Sequence, residues 1–101
     1  MIFTALILAA AAPADAVPKA RQAYAGCLTQ YTNDAVDRKM AKDEFLAGLK
    51  TKCADKEEKF RAALTTADKA DGMSDKETAA DVEDQVKGYM DQMTDNFASG
   101  G

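Results

Sequence analysis

Cys27 and Cys53 are the residues of this chain best suited to covalent chemistry. Thiols that exchange electrons usually sit in Cys-x-x-Cys, where close spacing lowers the thiolate pKa. Here 25 residues intervene, and an even cysteine count in an exported chain points to a structural disulfide instead. Met90 and Met93 form a second group, three residues apart, with Met40 and Met73 elsewhere. Thioethers are soft ligands, so Met90 and Met93 are the candidates for a Cu(I) carrier. The competing reading places both on an apolar helix stripe, where Met fills gaps. Without His or a free Cys, three thioethers would have to converge on the ion.

Two acidic groups complete the inventory. The run Asp68 to Glu77 resembles a calcium loop around Gly72, but with Gly72 as the sixth residue the first, third and twelfth positions are Ala67, Lys69 and Thr78. Those residues do not supply the carboxylates that such a loop needs. A helix end followed by a capped helix start accounts for the same segment. Asp81, Glu83 and Asp84 lie on what reads as a solvated helix face, with nothing to shift their pKa. No nucleophile–base pair, phosphate loop or carboxylate cleft can be placed, so the sequence predicts no enzyme and no cofactor.

Composition narrows the field further. The chain has no His, which removes the commonest general base and the commonest zinc ligand together. Its formal charge is −4 and Lys and Arg alternate with Asp and Glu, so it has no footprint for nucleic acid.

Residues 1–12 form an uncharged apolar run ending at Pro13, and Ala14-Asp15-Ala16 supplies small residues at both specificity positions of a cleavage site. This is the pattern of a secretory signal peptide over residues 1–16, which places the protein in the periplasm or outside the cell. No Lys or Arg precedes the run, which points to a weak signal or an upstream start. Removal of residues 1–16 leaves 85 residues and a charge of −3, because Asp15 leaves with them. A chain of that size has a marginal core, and a disulfide offsets the deficit.

The rest, residues 17–101, reads as one all-α domain. A first helix is predicted over about 18–38, with Pro18 at its first position and Ala20, Tyr24, Cys27, Leu28, Tyr31 and Ala35 on one face. Arg21 and Gln22 fall on the other side. A second helix is predicted over about 43–70, with Asp43 as N-cap, Phe45, Leu46, Leu49, Cys53, Phe60 and Leu64 as its stripe, and Gly72 just past its end. Asp55/Lys59 and Glu57/Arg61 are spaced as ion pairs on its wet face. A third helix is predicted over about 75–98. It opens on Ser74-Asp75-Lys76-Glu77, a capping box, and carries Ala79, Val82, Val86, Tyr89 or Met90, Met93 and Phe97 at helical spacing. Glu83 and Lys87 should pair on it.

Cys27 and Cys53 lie equally far from Met40, which places the turn there and makes the first two helices an antiparallel hairpin. In that register residue numbers facing each other sum to 80, so Ala20 meets Phe60, Tyr31 meets Leu49, Ala35 meets Phe45 and Tyr24 meets Lys56. Gly26, Ala23 and Ala54 would permit the close approach that a disulfide needs. With the third helix the architecture is a three-helix bundle.

The apolar segment, then Tyr24-Ala25-Gly26-Cys27-Leu28, then Cys53 in a charged helix, resembles small alanine-rich, two-cysteine exported proteins of alphaproteobacteria. The resemblance covers the first half of the chain. It implies export and a disulfide and carries no active site.

Three functional readings remain. The first is a non-enzymatic periplasmic interaction module that takes a protein partner on the stripe Val82, Val86, Met90, Met93 and Phe97. In a stress-related, chaperone-like version, the 16 acids after residue 16 protonate at low pH and expose that stripe. The second is the Cu(I) carrier. The third is an envelope-associated structural protein whose third helix pairs with itself in a homodimer.

Overall fold

The computed structural model describes the backbone of residues 4–100 and side chains from residue 15 onward. The described chain is helical throughout: α1 Thr4–Asp37, α2 Lys42–Thr51, α3 Ala54–Ala70 and α4 Asp75–Ala98. α1 packs against all three of the others, and α3 also packs against α4. Residues 1–3 of the proposed export signal lie outside the described residues, as do the side chains of residues 4–14. The helix expected to begin at Pro18 begins at Thr4 and passes through Pro13 and Pro18. A proline inside a helix costs about 3 kcal/mol; the Ala-rich sequence around both, intrinsically the best helix former, favours continuity.

Local chemistry sets the turns. α1 stops at Asp37 with Lys39 in the left-handed region at φ 54°. The Met40 N–H then donates to the Ala35 carbonyl at 2.9 Å and the Lys39 N–H to Val36 at 3.0 Å. This is a Schellman closure, and it puts the hairpin turn at Met40 as the sequence predicts. The same motif ends α3, with Gly72 at φ 91° and the Met73 N–H on the Asp68 carbonyl at 3.1 Å. α4 opens on the expected capping box: Glu77 N–H donates to Ser74 Oγ at 3.1 Å, and Ser74 N–H to Glu77 Oε1 at 3.0 Å. At α2 the N-cap is Ala41, with no side-chain bond, so Asp43 is not the cap; it and Glu44 lie in the first turn instead.

The predicted second helix is two helices. It breaks at Lys52 and Cys53, where Cys53 leaves helical dihedrals at φ −111° and ψ 24°. The break falls at the disulfide. Cys27 and Cys53 are bonded, with Cα atoms 6.0 Å apart, closer than ordinary helix packing allows. That approach does not depend on Gly26, where an added Cβ would meet nothing. The glycine that a neighbour packs against is Gly48 of α2, where a Cβ would collide with the Tyr31 hydroxyl. That hydroxyl donates to the Phe45 carbonyl at 3.2 Å.

The core is aromatic. Tyr24, Phe45 and Phe60 are fully buried. Tyr24 stacks on Phe60 at 5.5 Å, Tyr31 on Phe45 at 5.5 Å, and Tyr89 meets both Tyr24 and Phe60 edge-on. The contacts thus run antiparallel as expected, but Tyr24 turns inward onto Phe60 rather than across to Lys56. α4 closes this core with Val82, Val86 and Met93 buried and Phe97 stacked on Phe45 at 4.1 Å. Thr78, not Ala79, is its first buried residue.

Arg21 is also misplaced by the sequence reading. It is half-buried, not on a wet face. Its guanidinium lies over the Phe60 ring, 5.0 Å from the centroid, and donates to Gln85 Oε1 at 2.8 Å. It therefore ties α1 to α4 while its charge is held by a ring face.

Candidate functional site

The α1/α3 pair has two sides. α4 fills one of them. The other is an open trough, and its floor can be built residue by residue. Along α1, Ala16, Ala20, Ala23 and Cys27 recur at spacings of three and four, which places them on one helix face. Ala63 faces them from α3. Their short side chains leave a hollow of about 340 Å³. Beyond the disulfide lies a second hollow of about 280 Å³, with Cys27, Tyr31, Ala35 and Met40 in its wall. The disulfide fixes the separation of the helices between the two hollows.

The rims are charged. Lys19, Lys56 and Lys59 line the first hollow, and Arg38 and Lys52 the second, while Asp34 is the one carboxylate among the lining residues. All five cations are exposed. The ion pairs among the described residues lie elsewhere: Arg61 with Glu57 and Glu83, Lys69 with Asp75, and Lys87 with Asp91. The expected Asp55/Lys59 and Glu83/Lys87 pairs are not formed among them. Lys59 instead stands on the trough rim, and Glu83 reaches Arg61. A chain of net charge −4 thus concentrates five cations against one acid on a single concave face. A concave surface of one charge sign raises the local concentration of counter-ions.

The residues singled out by sequence fall as follows. Cys27 and Cys53 are brought together. Met93 is only 3 % exposed, inside the core, and Met90 is half-buried beside it, so the pair presents no open thioether site. Met40 packs in the hairpin turn and accepts from the Tyr31 hydroxyl at 3.6 Å. The stripe Val82, Val86, Met90, Met93 and Phe97, expected to receive a partner, is packed on this chain's own hairpin. That expectation is corrected. An apolar stripe on a small domain meets its own core before it meets another molecule.

The acids near the α3–α4 turn form a local group. Asp68 is held above its ordinary pKa, first by a hydrogen bond shared with Asp81 and then by burial. Asp81 also accepts from the Gln85 amide at 3.2 Å. The buried Asp68 Oδ2 and Thr78 Oγ1 have no hydrogen-bond partner. Glu83 is exposed, and Arg61 holds its carboxyl below the usual range. Among the described residues no group of three or more acids, histidines or cysteines is arranged to hold a metal ion.

The trough residues escaped the sequence reading because Lys and Arg alternate with acids along the chain. The signal is present in the spacing. Lys56 and Lys59 are three apart on α3 and share one face, while Lys52 lies at the break before that helix. No protein-family model matches the chain, and no curated protein and no solved structure is similar enough to match it. The resemblance to two-cysteine exported proteins rests on the residues that carry it.

Proposed function

We propose that the protein is an exported, non-enzymatic interaction module whose working surface is the cationic trough beside the disulfide. The observation that carries the reading is the set of five exposed cations on the rims of an open seam, none held in an ion pair among the described residues. Stability alone does not call for this arrangement. Like charges gathered on one face repel, and pairing them with the chain's abundant acids would relieve that. The disulfide supports an oxidising compartment. No described helix is long and apolar enough to cross a membrane.

The test is capture from an envelope extract by the oxidised chain, set beside a Lys19→Glu, Lys56→Glu, Lys59→Glu variant. Circular dichroism would check that the variant folds. Proteins retained by the wild type should be lost by the variant and should elute from the wild type as salt is raised. Equal capture by both chains would remove the trough as the working surface.

A further inference from the structure

The trough needs an anionic rod, and the same molecule carries one. On α4 the residues opposite the buried stripe are Glu77, Asp84, Asp91 and Asp95, spaced seven, seven and four apart and all exposed. Two cations flank them, Lys76 and Lys87, and Lys87 is tied to Asp91 at 2.8 Å. The acids of that ridge run from Glu77 to Asp95 on α4, roughly 27 Å of helix at 1.5 Å per residue. The cations of the trough follow α1 from Lys19 to Arg38, roughly 28 Å on the same rise. A convex acidic ridge and a concave cationic trough of equal length therefore lie on opposite sides of one chain.

We infer that the occupant of the trough is the α4 ridge of a second copy of this chain, so that copies associate ridge into trough, head to tail. The alanine floor lets a helix settle between the lysine rims, which a flat surface could not do. A two-fold dimer through either face is disfavoured, because it would set cations on cations or acids on acids. A heterologous contact of this kind leaves one free trough and one free ridge at the ends, so growth continues with concentration unless the rotation closes a ring. In this arrangement the apolar stripe of α4 stays inside its own core, so association requires no opening of the fold.

This inference rests on the trough being an interaction surface and specifies what fills it. Light scattering after gel filtration of the oxidised chain should show an average mass that rises at least twofold with concentration in about 10 mM salt and returns to the monomer near 0.5 M. The trough variant Lys19→Glu, Lys56→Glu, Lys59→Glu should stay monomeric, as should a ridge variant Asp84→Lys, Asp91→Lys, Asp95→Lys. Mixed together the two variants should associate again, since the trough variant keeps its acidic ridge, the ridge variant keeps its cationic trough, and the two reversed faces are also opposite in sign. Wild type mixed with either variant alone should show a lower average mass than wild type by itself, because the variant caps growing chains. A wild type that stays monomeric at low salt overturns the inference, even if its trough still captures envelope proteins. Association that persists unchanged in the trough variant, or strengthens with salt, overturns it as well.

Discussion

The two sides of the α1/α3 pair make opposite use of the same helices. Toward α4 the seam is filled by stacked rings, and its cations are held: Arg21 lies over Phe60 with its donors on Gln85 and Tyr89, and Arg61 pairs with Glu57 and Glu83. Away from α4 the seam is floored by alanines and rimmed by five exposed cations. The first side has large apolar area, which is what stability requires, and leaves Asp68 Oδ2 and Thr78 Oγ1 as its unpartnered buried polar atoms. The second has hollows and unpaired charge, which adds little to stability. On a small bundle, that contrast separates residues that hold the fold together from residues that add little to it.

The largest break in the comparison is Phe60→Ala. Phe60 is fully buried, stacks on Tyr24, meets Tyr89 and carries Arg21 on its face. Its removal should cost about 3–5 kcal/mol and leave the Arg21 charge without its ring. On a chain this size that approaches the whole stability. Lys56→Ala, on the same helix but facing the trough, should change stability by less than about 0.5 kcal/mol. Urea unfolding of the two variants side by side checks the contrast. Comparable losses would show that the trough side is structural after all.

Next in size is the disulfide. Replacing both cysteines by serine should cost about 2–4 kcal/mol. The loss should also be seen at the trough, because Cys27–Cys53 sets the helix separation between its two hollows. Urea unfolding of oxidised and double-serine chains measures the first effect. Salt-dependent association of the two measures the second.

Much of the packed side was legible in the sequence. The 3.6-residue recurrence of Tyr24, Leu28, Phe45, Leu49, Phe60, Leu64, Val82, Val86 and Met93 marked the core, and all of these are buried. The capping box at Ser74 and the glycine stop at Gly72 were equally plain, because each is set by local backbone chemistry. What was not legible depends on contacts distant in sequence. Helical spacing says which residues share a face, but not which of two apolar partners a ring will choose, so Tyr24 was set against Lys56 instead of Phe60. The break at Cys53 comes from the tertiary bond, and nothing in Thr51-Lys52-Cys53 announces it. Arg21 reads as solvated because its partners lie about 64 and 68 residues away, on α4. The trough was missed for the same reason: Lys19 and Arg38 join Lys52, Lys56 and Lys59 only once the hairpin has closed.

A smaller effect sharpens the comparison at the point where α1 and α2 come closest. Gly48→Ala puts a methyl group where the Tyr31 hydroxyl stands. Displacing that ring disturbs its stack on Phe45 and its bond to the Phe45 carbonyl, and should cost about 1–3 kcal/mol. Tyr31→Phe removes the colliding oxygen, so the double variant should recover part of the loss. Strict additivity in a double-mutant cycle would mean that the two residues do not meet.

The smallest effect concerns pH and opposes the acid-opening expectation at one position. Glu77 and Glu83 are held below their ordinary pKa, Glu77 first by the Ser74 backbone N–H and Glu83 by Arg61. Each contributes stability above its unfolded pKa and loses it as pH falls through the lower folded value. Asp68 has the opposite sign. Its raised pKa, from the bond shared with Asp81 and from burial, means that the folded chain holds the proton more tightly than the unfolded one. Its contribution therefore grows as pH falls from neutral through the folded pKa. The urea midpoint should rise slightly or hold level as the solution is acidified from neutral, and fall only once Glu77 and Glu83 protonate. Asp68→Asn mimics the protonated carboxyl, so it should raise the midpoint at neutral pH and remove the upper part of the profile while leaving the acid limb in place. A variant whose profile parallels the wild type throughout would show that the Asp68–Asp81 pair does not couple α3 to α4. Chaperone-like opening at low pH would then have only the loss of the Glu77 and Glu83 contacts to work with, and dye binding should appear on that acid limb and not before it.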